Sequence, residues 1–192
     1  MLILGIDPGT QILGYSLLDT DGCAPVVRAL DVLYLKRIPE LNQRIKQIFL
    51  STLRIIDTFH PDHLAIEAPF LGKNAQSMLK LGRAQGVAIA AAISRDLSFT
   101  EYPPSVIKQH ITGNGNSSKQ QVADILQAIL PFPQSPQYFD ATDALAVAYT
   151  CHLHLNNPLA DLQATLAPKK KSHKSAKKQW SEFVNQNPDL IH

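Results

Sequence analysis

Apolar positions fall along this chain in blocks whose period switches between two and about 3.6. Leu2 to Ile6 is apolar apart from Gly5. So short a run, bounded by a turn signal, predicts a strand covered on both faces. It ends at Asp7; Pro8 biases that residue away from helix, and Pro8-Gly9 fits the centre of a type II turn. Ile12 to Leu18 returns as a second strand, and Cys23 to Leu35 supplies a third. Pro39 suits the first turn of a helix. Leu41, Ile45, Ile48, Phe49, Leu53 and Ile56 then predict an amphipathic helix over 38–59, stopped by His60-Pro61. His63 to Glu67 is another short apolar strand closing on an acid. Reached through a helix, it is most naturally parallel to a strand already in the sheet.

Asn74 can cap a helix running to about Arg95. That helix is rich in small residues (Ala84, Gly86, Ala88, Ala90, Ala91 and Ala92), a surface for close packing on the sheet or on a second copy of the chain. A fifth strand is expected over 97–102 and a short helix from Pro103-Pro104 to about Ile111. A polar turn over 112–118 ends in a cap, followed by a helix over 119–130. Pro131, Pro133 and Pro136 lead into a last helix, about 138–155. The fold class is therefore α/β: a mixed five-stranded sheet, three antiparallel strands plus two parallel, flanked by helices. No internal repeat is visible.

Composition divides this picture into a body and a tail. At 192 residues and 45% hydrophobic content the chain suits one globular domain, set at 1–158, with an appendage over 159–192. Residues 168–192 hold six lysines and two acids, leaving twelve basic and fourteen acidic residues before them. The stretch from Pro168 to Lys178 has the composition of a disordered segment. If its six lysines all met nucleic-acid phosphates, log affinity would fall about five units more steeply with log salt; otherwise it is a solvated tail. Trp180 and Phe183 could dock as a short turn. No apolar run is long enough to span a bilayer, and the sequence opens straight into a strand without a signal peptide. Cys23 and Cys151 are isolated, which fits a reduced, cytoplasmic setting.

The candidate chemistry lies in four acids. Asp7 and Glu67 close two strands, and Asp140 and Asp143, three apart, share one face of the last helix near its start. Acids in a first helical turn also simply suit the helix dipole. Residues 144–151 are nonetheless apolar, small or weakly polar, so two acids enter a buried helix that carries no Arg or Lys. If the two strands are neighbours and the helix crosses them, all four carboxylates converge. Crowded carboxylates raise one another's pKa, and hard divalent cations relieve that. Two such ions can drive phosphodiester hydrolysis.

Four motifs in order carry a resemblance: Ile-Leu-Gly-Ile-Asp-Pro-Gly-Thr with a following Gly-Tyr, Ala-Ile-Glu-Ala-Pro-Phe-Leu-Gly-Lys-Asn, Lys-Leu-Gly-Arg-Ala-Gln-Gly-Val, and Asp-Ala-Thr-Asp-Ala-Leu-Ala-Val-Ala. Over residues 2–155 the chain closely resembles RuvC-type Holliday-junction resolvases, and the tail beyond residue 160 lies outside that resemblance. The resemblance implies a ribonuclease H-like fold and a homodimer with two magnesium ions per active site. It implies symmetric paired nicks in four-way junction DNA during recombination and repair, with a branch-migration helicase complex as a partner. By position, Asp7, Glu67, Asp140 and Asp143 match the metal ligands. Phe70 matches an aromatic that stacks on an unpaired base, though alone it could be a satellite core contact. Lys108 and Lys119 match residues on the DNA backbone, though alone each is an ordinary solvated lysine. Lys73 and Arg83 are further candidates for phosphate. Ala68-Pro69 departs from the usual pair before the aromatic, which would stiffen the loop.

Two competing readings bring other chemistry. An actin-type or Hsp70-type ATPase also places Asp-x-Gly-Thr after a strand, but needs a duplicated second domain. A ribonuclease H-like enzyme acting on RNA is nearer; Phe70 and the Lys-Leu-Gly-Arg-Ala-Gln-Gly helix favour the junction.

Overall fold

Two apolar strands at the centre of the sheet organise everything packed on it. The computed structural model describes residues 1–69, 74–132 and 139–156. Strand β1 (Leu2–Asp7) pairs antiparallel with β2 (Ile12–Asp19), which pairs antiparallel with β3 (Val26–Tyr34). On its other side β1 pairs parallel with β4 (His63–Glu67), which pairs parallel with β5 (Phe99–Tyr102). The order is β3-β2-β1-β4-β5. The helices are α1 (Leu41–Phe59), α2 (Ala75–Ile93), α3 (Pro104–Thr112), α4 (Lys119–Ile129) and α5 (Phe139–Asn156). This is the mixed sheet the sequence predicts.

The strand period of two sorts side chains into two cores. Leu4 and Ile6, with Leu64 and Ile66, pack with Ile48 and Ile55 of α1 and Ala84, Ala88 and Ala92 of α2. Ile3, Ala65 and Leu18 face the opposite layer, with Leu145, Val147 and Ala148 of α5 and Val122 and Leu126 of α4. The small residues of α2 thus split. Ala84, Ala88, Ala91 and Ala92 are buried in the protein, while Gly86 and Ala90 look outward.

Helix α5 lies very close to the sheet because β1 and β2 present almost no side chain beneath it. In the β1–β2 register Gly5 faces Ser16 and Asp7 faces Gly14. A Cβ on Gly14 would sit 1.8 Å from the Asp140 carbonyl oxygen, and one on Gly5 would sit 2.1 Å from that of Ala144. Ser16 Oγ donates to the Ala144 carbonyl at 3.0 Å in the buried interface. A bed of two glycines and a serine therefore sets the height of the helix.

Several local expectations are corrected. Gly9 does not have the positive φ that the centre of a type II turn demands; among the described glycines only Gly113 has one, at 76°. Gly9 is needed for space instead, since a Cβ there would meet the Ile12 carbonyl oxygen at 1.9 Å. Pro39 lies ahead of the N-cap Glu40 rather than in the first turn of α1. Strand β3 begins at Val26 rather than Cys23, and β5 at Phe99 rather than Leu97. Leu97 is still buried, following Asp96, which holds a left-handed φ of 54°. Asn74 does cap α2, accepting from the N–H groups of Gln76 and Ser77. Ser118 and Gln121 form a reciprocal capping box on α4.

Candidate active site

The acids meet because the sheet's period and register agree. Ile3 pairs with His63 and Gly5 with Ala65, so Asp7 and Glu67 follow the same Ile6–Ile66 pair at the carboxyl ends of adjacent parallel strands. Both share the face of Ile3 and Ala65, toward α5. The Gly14 contact brings the Asp140 backbone onto β2, and Asp143 lies one turn further along α5. All four predicted acids are drawn to one end of the sheet.

Their electrostatics are those of a crowded, partly dry cluster. Burial pushes the Asp7 carboxyl well above its usual range, and the charges of Glu67, Asp143 and Asp140 push the same way against Lys119. Glu67 is raised to about 7, by burial first and then by Asp143, with Lys119 and Lys108 opposing. Asp143 is raised by burial and by Asp140, against its hydrogen bond with Lys119 and the charge of Lys108. Burial works against the Lys119 ammonium, but the bond to Asp143 and the charges of Asp143, Asp7 and Glu67 outweigh it and raise its pKa.

The predicted lysines take different places. Lys119, the first residue of α4, sends its ammonium onto Asp143. Its side chain is 63% exposed and that of Asp143 only 13%. The capping box and the Thr112–Ser117 hydroxyl bond hold the start of α4 in place for this pair. Lys108 of α3 shares with Glu67, Lys119 and Asp143 a cavity of about 270 Å³. Arg83 is exposed on α2. Phe70 and Lys73 lie outside the described residues, as do the lysine-rich tail, Trp180 and Phe183.

The donor set fits a hard divalent cation in kind: it is four carboxylates, three of them with raised pKa, and among the described residues Lys119 is the only ammonium bonded into them. Among the described residues no three His, Cys, Asp or Glu side chains are already gathered as a ligand group. Asp143 is instead committed to Lys119.

A stability prediction follows from the raised carboxyls. Between the usual carboxylate pKa of about 4.5 and its folded value of about 7, Glu67 keeps its proton in the folded state and loses it when unfolded. Stability of the metal-free protein therefore falls as pH rises through that window and levels off above it. Thermal unfolding of wild type and Glu67→Gln at pH 5 and pH 7.5 checks this. The variant's advantage should grow with pH; an advantage independent of pH contradicts it.

Residues 3–152 match the family model for crossover junction endodeoxyribonuclease RuvC. A RuvC protein of Porphyromonas gingivalis is 49% identical over 192 residues, covering 99% of this chain and 96% of that protein. The chain belongs to the RuvC family. Its activity is that of an endodeoxyribonuclease acting at crossover junctions, as the motifs predict. RuvC of Bacteroides fragilis is 46% identical over 99% of this chain and 95% of its own length. Among solved structures, Thermus thermophilus RuvC in complex with a Holliday junction substrate superposes with a TM-score of 0.75 at 27% identity, covering 81% of this chain and 94% of that one. The RuvC family model stops at residue 152, but the alignments with the Porphyromonas gingivalis and Bacteroides fragilis proteins cover 99% of this chain and so run on into the tail. The expected end of the resemblance near residue 160 is thus too early for these RuvC relatives.

One feature escaped the sequence reading. Asp140 also lines a second cavity, with Thr10, Lys36, Ser77 and Lys80. Lys36 carries no motif, Lys80 only opens the Lys-Leu-Gly-Arg-Ala-Gln-Gly-Val stretch, and the two are 44 residues apart, so only the fold brings them together.

Proposed function

We propose that Asp7, Glu67, Asp140 and Asp143 hold two magnesium ions and that the chain, as a homodimer, resolves four-way DNA junctions by symmetric paired nicks. The observation that carries this is the convergence of four carboxylates at the end of a sheet, crowded enough to raise the pKa of Asp7, Glu67 and Asp143, beside a cavity with two lysines. Bound there, the ions would activate the attacking water and stabilise the departing 3′ oxygen. Lys108 and Lys119 border the same cavity, where their charge suits the phosphate backbone of the cut strand. Phe70, three residues after Glu67 in the chain, would stack on an unpaired base, and Lys73 would add charge for the DNA backbone.

The outward face of α2 supports the dimer. Gly82 and Gly86 have nothing within 4 Å of an added Cβ, and Leu79 and Ile93 are 64% and 57% exposed. Two copies of one centre are what paired nicks in a two-fold junction require. We further read residues 1–158 as the nuclease and 159–192 as a basic tail that strengthens DNA binding. A branch-migration helicase complex completes the assignment of partners. Among the described residues no helix is long and apolar enough to cross a membrane, and we place the enzyme's work in the cytoplasm.

The test is a supercoiled plasmid extruding a cruciform, incubated with protein and magnesium. Paired cuts within one binding event linearise the plasmid; uncoupled cuts leave nicked circles. Linear product as the first species is expected, and nicked circles accumulating throughout would contradict the dimeric reading.

A further inference from the structure

The second cavity is lined by Asp140 but not by Lys119, Lys108, Glu67 or Asp143, which line the first, and has about 420 Å³ of volume. Four separate segments build it, one of them the start of α5, which carries Asp140. Thr10 and Gln11 come from the β1–β2 turn, Lys36 from the connection after β3, and Ser77 and Lys80 from the first turns of α2. Two of those segments are fastened to each other. The Leu35 N–H donates to the Gln11 carbonyl at 2.8 Å. Arg44 of α1 bridges them again, its Nε donating to the Ile38 carbonyl at 2.6 Å and its Nη1 to the Thr10 carbonyl at 3.3 Å. The loop carrying Lys36 is therefore held against the turn that follows Asp7.

The walls carry unused binding capacity for an anion. Lys36 and Lys80 are exposed, and neither makes an ion pair among the described residues. Thr10 is 8% exposed and its hydroxyl makes no hydrogen bond to a described residue. Against two ammonium groups the lining contributes one carboxylate, Asp140. Two lysines and two hydroxyls around an open hollow match a phosphodiester, whose oxygens accept from both.

We infer that this cavity seats a backbone phosphate of the strand being cut, adjacent to the phosphate that lies over the carboxylates. Lys36 and Lys80 supply the charge, and Thr10 and Ser77 donate hydrogen bonds. The inference deepens the reading of the four acids as the cutting centre and rests on it for the word adjacent. The strand is then gripped on both sides of the scissile bond, by Lys108 and Lys119 on one and by Lys36 and Lys80 on the other. Two grips fix the position of the bond between them, which acts on the rate of the chemical step as well as on affinity.

The experiment uses full-length protein and synthetic four-way junctions carrying one neutral methylphosphonate at each position within three of the cut. Binding is measured without divalent metal over a range of salt, and cleavage with magnesium. In wild type, one methylphosphonate beside the scissile position should weaken binding about tenfold, the worth of a charge-assisted contact. The Lys36→Ala/Lys80→Ala double variant should bind the all-phosphate junction about tenfold more weakly, with a salt slope smaller by about one. It should also be indifferent to the methylphosphonate at that one position. Lys46→Ala, removing an exposed α1 lysine outside the cavity, should leave both unchanged. A double variant with wild-type salt slope, or with full methylphosphonate sensitivity at every position, overturns the inference. So does loss of sensitivity only at a phosphate on an uncut arm. Failure of the carboxylate reading looks different: Asp140→Asn would cut at the wild-type rate while these binding results stood.

Discussion

Asp7→Asn should cut junctions at least about 10³-fold more slowly than wild type, bind them as well, and unfold at a higher temperature without metal. The rate follows from the place of Asp7 among Glu67, Asp143 and Asp140, whose charges all act on it. An amide keeps the shape but gives up the anionic oxygen, and with it the several kcal/mol that a hard cation held there, as proposed, would contribute to the transition state. The stability follows from the same crowding. Burial and three like charges hold the Asp7 carboxyl well above its usual range, so above the ordinary carboxylate range the folded state loses stability that an amide at this position keeps. Removing that charge should raise the unfolding temperature by several degrees, roughly the effect of 1–2 kcal/mol in a domain of this size. Calorimetry in EDTA and single-turnover cleavage on the same preparations check both. A variant that is inactive and also destabilised would mean that the carboxyl is structural.

Gly14→Ala should be nearly as damaging to cleavage, though it adds only a methyl group. The new Cβ would lie 1.8 Å from the Asp140 carbonyl oxygen, 2.3 Å from its carbonyl carbon and 2.9 Å from the Ala141 nitrogen. All three are backbone atoms, so no rotamer change relieves the clash, and α5 must lift from β2. Overpacking of this kind costs about 3 kcal/mol, or roughly 10 °C of unfolding temperature at this size. Lifting the helix also moves Asp140 and Asp143 away from Asp7 and Glu67, and a shift near 1 Å is worth about 10²-fold in rate. Cleavage assayed well below the variant's unfolding temperature separates displacement from unfolding. Wild-type stability and rate together would show that the helix does not lie so close.

Much of this was legible because local pattern and global fold agree. The apolar run before Asp7 and the similar run before Glu67 mark two buried strands, and the intervening helix makes them parallel. Period two then puts both acids on one face, and the three-residue spacing of Asp140 and Asp143 puts those on one side of α5. What stayed hidden depends on contacts between distant segments. Gly14 and Gly5 look like weak strand residues until α5 lies over them. Gly9 suggests a positive φ, but its real constraint is the Ile12 carbonyl beneath it. Lys119 looks solvated until folding sets its ammonium on an acid 24 residues later. The Lys36–Lys80 cavity needs four segments to exist at all. Distance in sequence, rather than weak local signal, is what concealed them.

The central claim is that these four carboxylates together make the cutting centre. Its most direct test is single-turnover cleavage of a mobile four-way junction with magnesium, by wild type and by Asp7→Asn, Glu67→Gln, Asp140→Asn and Asp143→Asn in turn. Junction affinity is measured for each. The account predicts that all four variants lose at least about 10³-fold in rate, with affinity close to wild type. Any one of them cutting at the wild-type rate removes that residue from the centre and contradicts the account.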